Sequence, residues 1–267
     1  MPIIEYDSIS FTYPNGTDAL FDVNLAINEK DIVAIVGQNG GGKTTLVKMT
    51  NGLLHPTKGS VRLFGEDIAN TSTAKISHKV GFVFQNPRTQ LFLNSVEAEV
   101  SFGPKRLKMP SEEIDVRVTD AIEMVGLQKK RSQHPYDLTA PERKLLTIAS
   151  IISMNPQILI LDEPSGGMDA VSMDLVAHVI MTYRNAGKTV ITISHDMDFV
   201  ARCFDRVVVI KQGRLMRDGP VHEVFSDHKL LQETNLEPTA IGQLSAACGF
   251  PHSIISVPEM VSYIEAK

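Results

Sequence analysis

Cysteine is scarce in this 267-residue chain. Cys203 and Cys248 are the only two, and they form no ligand pattern for a structural metal. That excludes a disulfide framework and makes a reducing, cytosolic setting the expectation. Long apolar runs are absent too: none approaches the roughly 18–20 residues that a membrane-spanning helix needs. The opening MPIIEYDS has neither the basic nor the apolar region of a secretion signal. Any membrane role is therefore expected to come through a partner. An excess of basic residues is missing as well. The net charge of −5 gives no electrostatic footprint for nucleic acid, so no nucleic-acid partner is expected. Internal repeats, low-complexity tracts and heptad runs are also lacking, which sets aside solenoids and coiled coils.

What is present is ordinary globular material, 43% hydrophobic and 21% charged, in a chain long enough for one large α/β domain and an appendage. One stretch organises it: Gly37, Gln38, Asn39, Gly40, Gly41, Gly42, Lys43, Thr44 and Thr45. It follows the apolar run Ile32–Val36 and opens into helical spacing at Leu46, Val47 and Met49. Strand, glycine loop, helix is the context in which GxxxxGK[ST] reads as a phosphate-binding loop. Glycines let backbone N–H groups turn inward around an anion, and the helix N-terminus adds its unpaired donors. Lys43 then reaches the β- and γ-phosphates, and Thr44 ligates Mg2+.

Residues 1–30 alternate like short strands around a Pro14-Asn15-Gly16 turn, with Tyr13 at its mouth. Tyr13 reads equally as a strand aromatic packed on its neighbour or as a ring stacked on a purine base. Ser60–Phe64 and Val80–Phe84 read as further strands, the second ending at Gln85, by itself an unremarkable loop residue. Between 94 and 155 the character turns helical. Ser111 serves as an N-cap, Ile114, Val118, Ile122 and Val125 form a stripe, Gly126 stops the helix, and Pro141 opens another. Four consecutive branched aliphatics, Ile158–Leu161, suit a strand buried on both faces. Asp162 and Glu163 stand at its C-terminal end, where open α/β sheets bind ligands. Asp162 is placed to hold the Mg2+ shell and Glu163 to polarise a water towards the γ-phosphate. A second buried strand, Thr189–Ile193, ends at Ser194 and His195, whose role the residues alone leave open. Val207–Ile210 and Arg214–Met216 flank Gln212-Gly213 as a hairpin, and helical patterns at 221–225, 239–247 and 258–266 form a C-terminal appendage.

Together these pieces resemble the ATP-binding-cassette ATPases over residues 1 to about 225. Gly37–Thr45 is similar to Walker A, Ile158–Glu163 to Walker B, Gln85 to the Q-loop glutamine, Ser165–Asp169 to the D-loop and His195 to the switch histidine. The resemblance implies a P-loop NTPase (RecA-like) core with an antiparallel β subdomain, a helical subdomain at about 88–155 and a helical dimerisation region at 226–267. It implies ATP and Mg2+ as ligands, Tyr13 on the adenine, Lys43, Glu163 and His195 as catalytic groups, and Thr44, Gln85 and Asp162 around the metal.

Phe84-Gln85-Asn86-Pro87, Gln90-Leu91-Phe92, Glu97–Pro104 and the tail (Glu237-Pro238, Gly249-Phe250-Pro251, Val257-Pro258-Glu259) are similar to the ATPases of energy-coupling-factor transporters. That implies uptake of a vitamin or transition-metal ion. It also implies a place on the cytoplasmic membrane face beside a transmembrane scaffold and a substrate-binding membrane protein. The family's LSGGQ signature is altered here: the aligned stretch is Leu138, Thr139, Ala140, Pro141 and Glu142. Ala140 narrows backbone freedom, and Pro141 deletes an N–H where helix-terminal donors meet the phosphate held by the opposite subunit. An impaired site of its own points to a heterodimer with a second ATPase, in preference to a homodimer. A regulatory cassette and a soluble ABC ATPase are the alternatives.

Overall fold

The computed structural model describes residues 2–251 and 254–266. It contains two compact units, one built from the residues up to Asn70 and from Ile191 onward, the other Thr71–Val190.

In the first unit, β1 (Pro2–Thr12), β2 (Asp18–Asn28), β3 (Ile32–Val36), α1 (Lys43–Thr50), β4 (Lys58–Leu63) and β5 (Glu66–Asp67) follow in order. The strands β2-β1-β4-β5 form an antiparallel sheet. Ile4 pairs with Ile27 on one side and Leu63 on the other, and Ile4, Tyr6, Ile9 and Phe11 are all buried because a register shift between Tyr6 and Ile9, with Ser8 at φ +52°, changes the parity of the strand. The buried Tyr6 hydroxyl is satisfied by the Thr50 hydroxyl at the end of α1, and burial raises its pKa well above that of an exposed phenol.

The second unit holds α2 (Thr73–Ile76), β6 (Val80–Val83), α3 (Val96–Arg106), α4 (Ser111–Met124), α5 (Ala140–Ile152), β7 (Ile158–Asp162), α6 (Ala170–Asn185) and the start of β8 (Thr189–Ile193). β6 and β7 run parallel, Val80 beside Ile158 and Val83 beside Leu161, and every residue of both is buried. Thr189 N–H donates to Gln157 O at 3.2 Å, which sets β8 along β7. Helix α5 buries Leu145, Leu146, Ile148, Ala149 and Ile152, an apolar stripe at helical spacing. α4 departs from expectation at its start. Its cap position is Pro110, with no side-chain cap, and Ser111 is already helical. Gly126, with φ +73°, does end that helix. α3 was hidden in the sequence by Gly103 and Pro104 near its end, and its true signal is Ser95, whose hydroxyl caps Ala98 N–H at 3.1 Å.

The chain then returns to the first unit with α7 (Met197–Cys203), β9 (Arg206–Lys211), β10 (Arg214–Pro220), α8 (Val221–Ser226), α9 (His228–Thr234), α10 (Ala240–Ala247) and α11 (Val257–Glu265). β9 lies parallel to β3 and antiparallel to β10, and Ser194 N–H donates to Ile35 O at 3.3 Å. Arg206 locks this corner, bonding Asp31 at 2.5 Å, Asp218 at 2.6 and 2.7 Å and Ala26 O at 2.8 Å. The Gln212-Gly213 turn has φ +47° and +74°, as the hairpin reading requires. Among the described residues no helix is long and apolar enough to cross a membrane.

Candidate functional site

The glycine loop of the first unit is shaped by close backbone approaches. Gly37 has φ +147°, and a Cβ there would sit 2.0 Å from Ile210 O; Gly42 has φ +102°, and its Cβ would sit 2.6 Å from Ala19 O. Side chains are excluded at both positions, which leaves the backbone free to curl. Gly213 N–H donates to Gly41 O at 2.9 Å, fastening the loop to the β9–β10 turn. Gly42 occupies the cap of α1 in the left-handed region. Lys43 is buried, and its ammonium donates to Gly37 O at 2.7 Å and Gln38 O at 2.9 Å, so it lies folded along the loop. Asn39 and Gly40 are exposed at the crest.

Tyr13 packs edge-on against Phe11 with ring centroids 4.9 Å apart, and its hydroxyl bonds the Thr45 hydroxyl at 2.8 Å. Tyr13 stands just past the end of β1, beside the first turn of α1. His195 is exposed just beyond the end of β8, and Asp196 beside it caps α7 by accepting from Phe199 N–H at 2.9 Å.

In the second unit, Asp162 and Glu163 are both buried at the end of β7. Glu163 takes φ +51°, an uncommon region for a residue with a side chain, of the kind held only when surroundings enforce it. Sequence reasoning missed the residue that faces it. Lys144, from the second turn of α5, is 7% exposed and donates to Glu163 O at 2.6 Å and Gly166 O at 2.8 Å. Burial lowers the Lys144 pKa, while the Glu163 and Asp162 charges oppose that shift. A lysine flanked by the apolar stripe of α5 gives no local sign that it turns inward.

Thr139–Glu142, expected from the sequence to be an altered signature, lie at the start of α5. Thr139 caps the helix, accepting from Glu142 N–H at 3.4 Å, while Thr139 N–H donates to Glu142 Oε2 at 3.0 Å. Lys130 donates to Glu142 Oε1 at 2.5 Å. That bond, against a burial cost and with help from Thr139, holds the Glu142 pKa below the ordinary carboxylate range. Pro141 sits in the first turn, as read from the sequence. A cavity of about 480 Å³ brings Gln85 together with Ala140, Arg143, Lys144 and Gly166. Asp169 caps α6 through Ser172 N–H at 2.7 Å, which depresses its pKa.

A loop with Cβ positions barred by neighbours and a lysine folded along it has the shape of a polyphosphate cradle. A nucleotide-binding P-loop cassette is the class of protein these features define, and the chain belongs to the ABC transporter family, whose description matches residues 20–166. Cassettes of this family bind ATP with Mg2+, and one solved relative is a dimer in a post-hydrolysis state bound to ADP and Pi.

The chain is 37% identical over 260 residues to a putative ABC transporter ATP-binding protein of Caldanaerobacter subterraneus, covering 97% of this chain and 45% of that protein. With that protein and two Methanosarcina relatives the chain spans just under half of the relative's length, 44–45%. It is also 37% identical over 236 residues to the energy-coupling factor transporter ATP-binding protein of Methanothermobacter thermautotrophicus, covering 88% of this chain and 76% of that protein. Among solved structures, CbiO1 from Clostridium perfringens, described as part of the ABC transporter complex CbiONQ, superposes with a TM-score of 0.79 at 31% identity. That match covers 93% of this chain and 99% of CbiO1. The ABC cassette fold expected from the sequence is the fold observed.

Proposed function

We propose that this chain hydrolyses ATP to drive uptake of a vitamin or transition-metal ion through an energy-coupling-factor type of transporter. In this reading it sits peripherally on the cytoplasmic membrane face as one half of a heterodimer of ATPases. Lys43 and the loop from Gly37 to Thr45 hold the phosphates. Thr44, Gln85 and Asp162 surround Mg2+, Tyr13 contacts the adenine, and Glu163 with His195 orients the attacking water. Residues 1–225 are the nucleotide-binding domain, with its helical subdomain at about 88–155, and 226–267 the dimerisation region. The likeness to a named energy-coupling factor ATPase supports the transporter class.

One observation carries the heterodimer: a self-capped, proline-bearing signature stands in a chain whose Asp162 and Glu163 are both present and buried. In a homodimer that signature would face both ATP molecules, whereas a partner with an intact LSGGQ leaves one competent site. Loss of a single transition-state donor costs about 2.7–4 kcal/mol in enzymes where it has been removed. In this reading the groove near Gln85 and residues 88–100 grips the scaffold's short helices, and the 62% exposed Phe92 in that stretch supports it.

The test is to purify the chain from its native membrane in mild detergent and identify what travels with it. A stoichiometric second ATPase with intact LSGGQ, together with small membrane proteins, is the expected result. Recovery of this chain alone, without membrane proteins, overturns the reading.

A further inference from the structure

A buried ammonium is costly unless every nearby acceptor is used. Lys144 meets that cost in an unusual way. It makes its two hydrogen bonds to main-chain carbonyls of one short segment, Glu163 O at 2.6 Å and Gly166 O at 2.8 Å. The segment needs such a tie. It leaves β7 through Glu163 in the left-handed region, at φ +51°, and passes Gly167 at φ +73° before Asp169 caps α6. Met168 N–H donates to Ser165 O at 3.1 Å to close the turn, and Lys144 supplies a clamp across it. A Cβ on Gly166 would lie 3.6 Å from Lys144 Nζ, so the ammonium fits closely against the turn.

From these contacts we propose that Lys144 is the positioning residue for Glu163. By holding the Glu163 carbonyl, it fixes the backbone rotation that aims the Glu163 carboxylate, and it ties that aim to α5, the helix that begins with the altered signature. The inference rests on the reading of Glu163 as the water-orienting group. An ammonium is suited to the task because one nitrogen serves two carbonyls at once from a long apolar stem. Arginine retains donors and charge, glutamine retains donors on a shorter stem, and methionine retains only the stem.

The experiment compares Lys144→Met, Lys144→Gln and Lys144→Arg in the full chain, with and without its co-purified complex. In the complex, Lys144→Met is expected to lower kcat about tenfold to a hundredfold, as small misplacements of reacting groups do. KM and equilibrium ATP affinity should stay within about twofold, because uniform binding is untouched. Lys144→Arg should recover part of kcat and Lys144→Gln less. In the isolated chain, amide hydrogen exchange should quicken at 165–168 in Lys144→Met while the amides of 38–45 keep their rates. Unchanged kcat in Lys144→Met, or exchange that quickens equally in both segments, overturns the positioning role. Should the wild-type complex hydrolyse no ATP, the functional reading fails instead, and the exchange comparison still decides whether Lys144 clamps the turn.

Discussion

Thr139 and Glu142 cap each other. The threonine hydroxyl accepts from the glutamate N–H at 3.4 Å, and the glutamate carboxylate accepts from the threonine N–H at 3.0 Å. The helix start proposed above to face a partner's phosphate thus has two of its N–H groups bonded by its own side chains, with a carboxylate seated at the positive end of the helix dipole.

Replacing Glu142 with glutamine keeps the shape of the cap and removes its charge. Glu142 has a folded-state pKa below the ordinary 4.5, chiefly through Lys130. Its contribution to stability is therefore present above the unfolded pKa and is lost as pH falls through the folded value. Thermal unfolding from pH 7 down to pH 3 is expected to show a shallower acid loss in Glu142→Gln than in the wild type. Parallel curves would remove the Lys130–Glu142 pair from the acid response. Thr139→Ala should cost about 1 kcal/mol at neutral pH through loss of the cap.

Restoring donors to the signature tests its effect directly. The double change Ala140→Gly and Pro141→Gly returns an N–H and backbone freedom to the first turn. In a two-cassette complex it is expected to raise turnover at the site this signature serves, by up to about 100-fold if one donor is regained. A measured rate that does not move would show that the partner's own residues limit that site.

Glu163→Gln is expected to bind ATP with near wild-type affinity and to lose about 100-fold or more of turnover in the assembled complex, the usual scale for a general base. Nucleotide trapped in a stable dimer on gel filtration is the companion readout. Unaltered turnover would take Glu163 out of the chemistry.

Lys43→Ala tests the phosphate role. The ammonium donates to Gly37 O at 2.7 Å and Gln38 O at 2.9 Å. ATP affinity should fall by about tenfold or more, since a charge-assisted bond is worth about 1.5–3 kcal/mol. Calorimetry against a non-hydrolysable ATP analogue measures it. Full retention of affinity would contradict the phosphate role.

The strands and the loop were legible because their causes are local. Ile32–Val36 and Ile158–Asp162 are buried along their whole length, and a run of branched aliphatics states that directly. The glycines at 37 and 42 announce backbone that no Cβ could share. The long reach of Lys144 was not legible, because its two acceptors lie 19 and 22 residues away in sequence and meet it only through packing. The same holds for Lys130 and Glu142, twelve residues apart. Glu99 illustrates the point again: its carboxylate accepts from Phe92 and Leu93 N–H at 2.5 Å each, shaping the segment that carries the exposed Phe92, and nothing in the local pattern of residues 92–99 signals that. Helix α7 went unread because its seven residues are too few to establish a period.

The bond from Gly213 to Gly41 has a kinetic meaning. The hairpin turn and the Ile210 carbonyl mould the glycine loop when the chain folds, long before a nucleotide arrives. Ordering a free backbone costs about 1–2 kcal/mol per residue, and here that ordering belongs to folding. Such a backbone meets its ligand already ordered, and the rearrangement left to binding is that of the Lys43 side chain, which is bonded to Gly37 O and Gln38 O. Loosening the turn at residues 212–213 would then slow the on-rate without touching a single phosphate contact.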